Sequence, residues 1–227
     1  AVLTPPDTTA IATISATCIS RAFPSVGVEG IELRSIGYNY DISYSKGTTN
    51  EFFSVTYWDT NTISRERFGK RTVLKVQSFI VMIYPNGWVS VGAAQRETSY
   101  TLDGKKVESV SKAVSPSGNE RSKVTLPFRG GLQNIYTSFA RAAAVEAAAR
   151  FIAKQLSETT VDELRLYRLY YQWERDEPQA DGGASEKFFV RFWLSDSVRQ
   201  LQSSRGPVTV CDMVGAAVDR TGAPQLN

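Results

Sequence analysis

Histidine is missing from this chain altogether. No imidazole can serve as general base, proton shuttle or metal ligand. Ser-His-Asp and Cys-His nucleophile systems are excluded, and so are His-bearing zinc sites. Cysteine is scarce: Cys18 and Cys211 lie far apart and match no metal or redox spacing. They read as two small buried side chains, and a long-range disulfide has no support. No apolar run reaches the roughly 18 residues of a membrane-spanning helix. The opening AVLTPPDTTAIATISATC has neither a basic leader nor a continuous apolar core, so no intact signal peptide is expected. Compartment is left open. A phosphate-binding glycine loop, a dinucleotide fingerprint and a calcium loop are also absent. No cofactor and no metal are therefore expected.

What remains is ordinary globular material, 42% hydrophobic and 22% charged, in 227 residues. A chain of this length buries about 70% of its unfolded surface, and one domain over 1–227 is expected. The net charge of +3 and pI near 8.8 fall short of the values above about 9 typical of dedicated nucleic-acid binders. Acidic protein partners suit such a balance equally well.

One stretch, Gly131 to Ser157, favours helix almost throughout, with no proline. Leu132, Ile135, Phe139, Ala142, Ala149, Ile152 and Leu156 share a stripe at helical spacing. This predicts a long Ala-rich rod with a flat face. Glu146 sits within the stripe, and pairing with Arg150 one turn on is its favoured explanation over a catalytic role.

A first helix is predicted after Asp7, its N-cap, with Ile11, Ile14, Cys18 and Ala22 on one face and Pro24 as its stop. About six strands fill Gly30 to Val114, with turns at Lys46–Asn50, Asn86-Gly87 and Asp103-Gly104. Asn61 to Arg71 reads as a polar, basic connection. ELRLYRLYYQWERD and KFFVRFWLSD read as two further strands, and the tail after VTVCDMV as peripheral. The expected fold is α+β: a curved antiparallel sheet packed on the one long helix.

ELRSIGYNY at Glu32 resembles ELRLYRLYY at Glu163, and EFFSVTYW at Glu51 resembles KFFVRFWL at Lys187. A degenerate helix–strand–strand duplication is therefore expected, with halves 1–114 and 131–202. Chance likeness between two aromatic hairpins is the competing explanation.

Two features point to function. Arg65, Arg67, Lys70 and Arg71 surround Phe68, a pattern that docks on acidic protein surfaces or grips nucleic acid. The adjacent rings Phe52-Phe53, Tyr170-Tyr171 and Phe188-Phe189 must point to opposite faces of their strands. One face packs on the helix and the other needs a cover. The predicted partner-binding residues are Arg65, Arg67, Phe68, Lys70, Arg71, Tyr170, Trp173, Phe189 and Trp193. The two S-x-x-K matches, Ser43–Lys46 and Ser109–Lys112, fall in strands or turns rather than at helix starts, so they carry no chemistry.

These features predict a non-catalytic structural or linker subunit that binds other, acidic protein subunits in a larger assembly, as in a light-harvesting antenna array or a viral shell. Nucleic acid ranks behind protein as a partner. The alternative is a small-molecule-binding domain with an aromatic-lined pocket between sheet and helix.

Overall fold

A computed structural model describes residues 6–43, 47–116, 121–128, 141–178, 183–218 and 223–226. The first helix, α1 (Thr8–Ala22), starts where Asp7 accepts a hydrogen bond from the Ala10 amide at 3.0 Å. It ends before Pro24, a residue that disfavours helix in the position preceding it. Two long strands follow, β1 (Ile31–Ile42) and β2 (Thr49–Asp59). A short strand β3 (Ser64–Phe68) turns back into β4 (Arg71–Ile83). Asn86-Gly87 then leads into β5 (Trp88–Thr101), and Asp103-Gly104 into β6 (Lys106–Ala113). Both of these glycines, at φ +87° and +84°, take the backbone region that tight hairpin turns demand. Strand β7 (Lys123–Pro127) follows.

The second half opens with helix α2 (Arg141–Gln155). Strands β8 (Leu164–Glu174), β9 (Ser185–Leu194), β10 (Arg199–Ser203), β11 (Gly206–Val210), β12 (Met213–Val218) and β13 (Pro224–Leu226) complete the chain. Eleven of the strands form one antiparallel sheet, with the path β13-β12-β9-β8-β1-β2-β4-β5-β6; β3 joins on β4 and β7 on β5. Strands β10 and β11 pair only with each other.

This architecture corrects the expected α+β class. Among the described residues the protein is a large antiparallel sheet with two short helices, rather than a sheet laid on one long rod. Of the expected Gly131–Ser157 rod, the stretch before Arg141 lies outside the described residues. Its end falls at Gln155 because Ser157, Thr159 and Thr160 introduce the turn Val161–Glu163. The buried face is Ala144, Ala148, Ala149 and Ile152, while Ala142 and Glu146 face solvent. Glu146 pairs with Arg150 at 2.5 Å. In α1 the inner face is Ile11, Ser15, Cys18 and Ile19, rotated slightly from expectation. The tail is not peripheral: Ala216 and Val218 belong to the core. The polar stretch Asn61–Arg71 is not a plain connection, because it contains β3 and a hairpin turn.

Element order recurs along the chain with a fixed offset. The C-terminal ends of the two helices, Ala22 and Gln155, are separated by 133 positions, as are both ends of the single-turn helices Val28–Gly30 and Val161–Glu163. From β2 onward the separation is 135. Thr60–Thr62 matches Ser195–Ser197, and β3 matches β10. Strand β4 is matched by β11 and β12 together, since Trp58 opposite Ser78 corresponds to Trp193 opposite Met213. Both long hairpins carry a bulge at the matching place, Arg34 in one and Tyr167 in the other. The sequence pairing of Glu32 with Glu163 and Glu51 with Lys187 is therefore displaced. The register instead matches Ile31 with Leu164 and Phe53 with Phe188.

The seam between the halves is the antiparallel pair β1–β8. Ser35 lies opposite Glu174 and Asp41 opposite Arg168. The 133-residue offset carries each of these pairs onto the other, and Tyr38 opposite Tyr171 onto itself. A local twofold axis thus passes through the Tyr38–Tyr171 pair. Both tyrosines are buried and pack on Phe53 and Phe188 at ring separations of 5.0 and 4.9 Å.

The helices cover one face of the sheet, α1 over the first half and α2 over the second. Between the layers lie Ile11, Ile19, Phe23, Phe53, Phe79, Val190 and Ile152, all fully buried. Each such side chain contributes about 1.5–3 kcal/mol of transfer free energy. Tyr57 Oη donates to the Ala12 carbonyl at 2.7 Å and so ties α1 to β2. Burial pushes its pKa up to about 12.

Matching positions on the two helices make opposite demands. Ile11→Ala opens a cavity and should cost about 2–5 kcal/mol, whereas Ala144→Ile overpacks and should cost about 1–3 kcal/mol. Urea titrations would measure both. Tyr57 carries a pH signature. Its phenol ionises near 10 when unfolded and near 12 when folded, so its contribution is complete below about pH 10 and is lost between about 10 and 12. Tyr57→Phe should flatten that part of the alkaline fall in denaturation midpoint.

Candidate functional site

The face of the sheet away from the helices has no layer over it among the described residues. Alternation puts Tyr38, Phe53, Tyr171 and Phe188 inward, so Asn39, Phe52, Tyr170 and Phe189 point out. The inward set is buried and the outward rings are half-buried.

A shallow cleft of about 320 Å³ lies near the middle of this face, lined by Asn39, Arg168, Tyr170, Phe189 and Arg191. Three adjacent strands build it. Tyr170 stands between Asn39 on β1 and Phe189 on β9, and Arg168 stands directly opposite Arg191. The Tyr170 and Phe189 rings stack 6.3 Å apart, tilted by 28°. The edge of Tyr170 comes close over Gly37, 3.7 Å from where a β-carbon would sit. Lys187 lies 5.3 Å from the Phe189 ring centre. Arg168 is neutralised by Asp41 at 2.5 Å. Arg191 is exposed and has no acidic partner among the described residues.

Two further clefts flank the centre and occupy matching places in the two halves. One, of about 280 Å³, is floored by Trp58, Leu74 and Val76. There the Arg34 guanidinium lies 5.8 Å over Trp58 and pairs with Glu174 at 2.7 Å. Its side chain is only 12% exposed, and burial together with nearby Arg96 lowers its pKa against the pull of Glu174. The other, of about 450 Å³, is floored by Trp193, Thr209 and Cys211. Tyr167 takes the place of Arg34, 5.8 Å from Trp193. The frame repeats while its chemistry changes from an ion pair to an aromatic contact beside a thiol. Cys18 and Cys211 are both free. Among the described residues, no group of His, Cys, Asp and Glu side chains could hold a metal.

The nine predicted partner-binding residues do not form one site. Arg65, Arg67, Phe68, Lys70 and Arg71 form the exposed end of the β3–β4 hairpin, an arm of the sheet. Phe68 is 56% exposed. Arg65 pairs with Glu177 at 3.1 Å. Arg67, Lys70 and Arg71 have no acidic partner among the described residues. Tyr170 and Phe189 belong to the central cleft. Trp173 departs from expectation: it points to the helix side and packs against the core. Trp193 points outward but is only 7% exposed, because Tyr167 packs against it.

Arg168, Arg191 and Asn39 escaped the sequence analysis because charged residues in strands look like ordinary solvated positions. Period-two alternation in adjacent strands, R-x-Y at 168–170 and F-x-R at 189–191, was the available signal. The second arm, β10–β11, was missed too. Its Leu201 and Val208 stand opposite each other, and both are exposed.

Between sheet and helix most of the interface is filled by buried side chains, while a cleft of about 310 Å³ lies beside α1, lined by Ala12, Ala16, Ile31 and Tyr57. No helix among the described residues is long and apolar enough to cross a membrane. Comparison with family models, with curated proteins and with solved structures found no match.

The two thiols should separate cleanly by chemistry. Burial pushes Cys18 up to about 11, so at about pH 8 it is neutral as well as inaccessible. Iodoacetamide followed by intact mass measurement should add one label to the native protein, at Cys211, and a second only after unfolding.

Proposed function

We propose that the protein is a non-catalytic structural subunit that holds other protein subunits together in a larger assembly, through the β3–β4 arm and acidic surfaces complementary to it. The observation that carries this reading is the arm's end. Phe68 stands exposed among Arg67, Lys70 and Arg71, which have no acidic partner among the described residues. A lone globule gains nothing from an exposed ring on a protruding hairpin, and aromatic and arginine side chains are the usual anchors of protein interfaces. Unpaired cations favour an acidic partner and speed its approach.

The β10–β11 arm supports the same reading from the other half. At the position matching Phe68 it carries Ser203, while its exposed apolar groups are Leu201 and Val208. That arm carries exposed Arg199 and Arg205 as well, so both arms offer cations beside different apolar groups, which suits a subunit that bridges two different neighbours. Association through few such contacts is expected to depend on salt, because the charges lie in solvent.

Native mass spectrometry after gentle purification from source tests this reading. The chain should appear in a stable complex with other protein chains. Recombinant protein carrying Arg67→Glu and Arg71→Glu should fail to enter that complex while melting like the parent. A chain that comes from source as a free monomer, or double-variant protein that incorporates normally, would overturn the proposal.

A further inference from the structure

On the opposite surface from the helices, we infer that the central cleft is a binding site for single-stranded nucleic acid, with a base on the Tyr170–Phe189 platform and phosphates held by Arg168 and Arg191. This site is separate from the arms and does not depend on the assembly role.

Three observations carry it. The first is electrostatic. Arg168 and Arg191 stand directly opposite each other on neighbouring strands, and like charges in that relation repel. Asp41 compensates only Arg168, and Lys187 adds a third cation beside Phe189. A site that gathers cations at a cost is built for an anion.

The second is shape. Tyr170 and Phe189 present half-exposed rings side by side. Tyr170 lies over Gly37, where a side chain would meet the Ser54 hydroxyl and the Tyr170 ring itself, so the ring is held close to the sheet. The hollow of about 320 Å³ suits a flat, base-sized group. Rings that stack on bases beside a cationic groove are the general means of holding single strands without reading their sequence. Asn39, at the edge of the same cleft, offers both a donor and an acceptor to a base edge.

The third observation comes from the recurrence in the fold. Positions 168, 170, 189 and 191 match Ser35, Gly37, Ser54 and Thr56 in the other half. The same backbone frame therefore stands with small, uncharged residues at all four places. Folding does not require two arginines and two rings there, so another demand accounts for them. An acidic protein surface would satisfy the arginines but would leave the flat hollow unfilled.

The matching residues also supply variants that the frame is known to accept. Phe189→Ser and Arg191→Thr install what the first half carries at those positions. Binding of a fluorescein-labelled twelve-nucleotide oligouridine, followed by anisotropy across a salt series, tests the inference. The parent should bind at low salt, with a slope of log K against log salt near about −2 for three phosphate contacts. Phe189→Ser should weaken binding roughly tenfold with little change in slope. Arg191→Thr should weaken it and reduce the slope by about 0.7. Both variants should melt like the parent. Absence of binding at low salt would overturn the inference. So would binding that both variants leave intact, or that Arg67→Glu and Arg71→Glu alone abolish. A polyglutamate peptide of equal length that competes as well as the oligonucleotide would also overturn it, and would assign the cleft to an acidic protein.

Discussion

The pairing of β1 with β8 makes one object out of two halves. Each half alone is a few strands and one helix, with long strand edges unpaired, a state prone to uncontrolled association. Joined through β1 and β8, the two edges vanish into the middle of an eleven-stranded sheet. Beside this seam a polar network fastens α2 to the first half. Tyr38 donates to Glu51 at 2.5 Å, and Arg141, at the start of α2, donates to both at 2.9 and 3.0 Å. The same guanidinium lies 4.2 Å over the Tyr40 ring. Arg141 of the second half's helix is thus fastened to the first half's strands. Slipping the seam by one residue would turn every ring to the wrong face.

The clefts and arms follow from this frame. Bulges at Arg34 and Tyr167 place an extra side chain over Trp58 and Trp193, which creates the two end clefts at matching positions. The arms exist because β3 and β10 pair beyond the limits of the helix cover. Where the helices lie, side chains of both halves must fit a common inner layer, so Ile19 matches Ile152 and Val55 matches Val190. Where no layer lies, the halves have diverged.

Much of the strand content was legible because its signals are local. Asp7 caps α1, Asn86-Gly87 and Asp103-Gly104 make their turns, and Phe52-Phe53 divides its rings between the two faces. What was not legible depends on distance along the chain. Ala144 and Ala148 are as buried as any leucine, but alanine is equally at home in solvent, so composition could not orient α2. The β3 arm lacks an apolar alternation because neither of its faces meets the core. The central cleft depends on β1, β8 and β9 lying side by side, and β1 and β8 are separated by more than a hundred residues. The matching of the halves was visible only in outline, since a bulge in each hairpin shifts the text against the structure.

A true pair of identical subunits presents the same surface at both ends of its axis, and its neighbours cannot tell one end from the other. Here the two ends differ in their apolar groups: phenylalanine on one arm, leucine and valine on the other, with exposed arginines on both. Such a building block has polarity. Units laid end to end through these arms inherit a direction, and a chain or ring of them can be read from only one side.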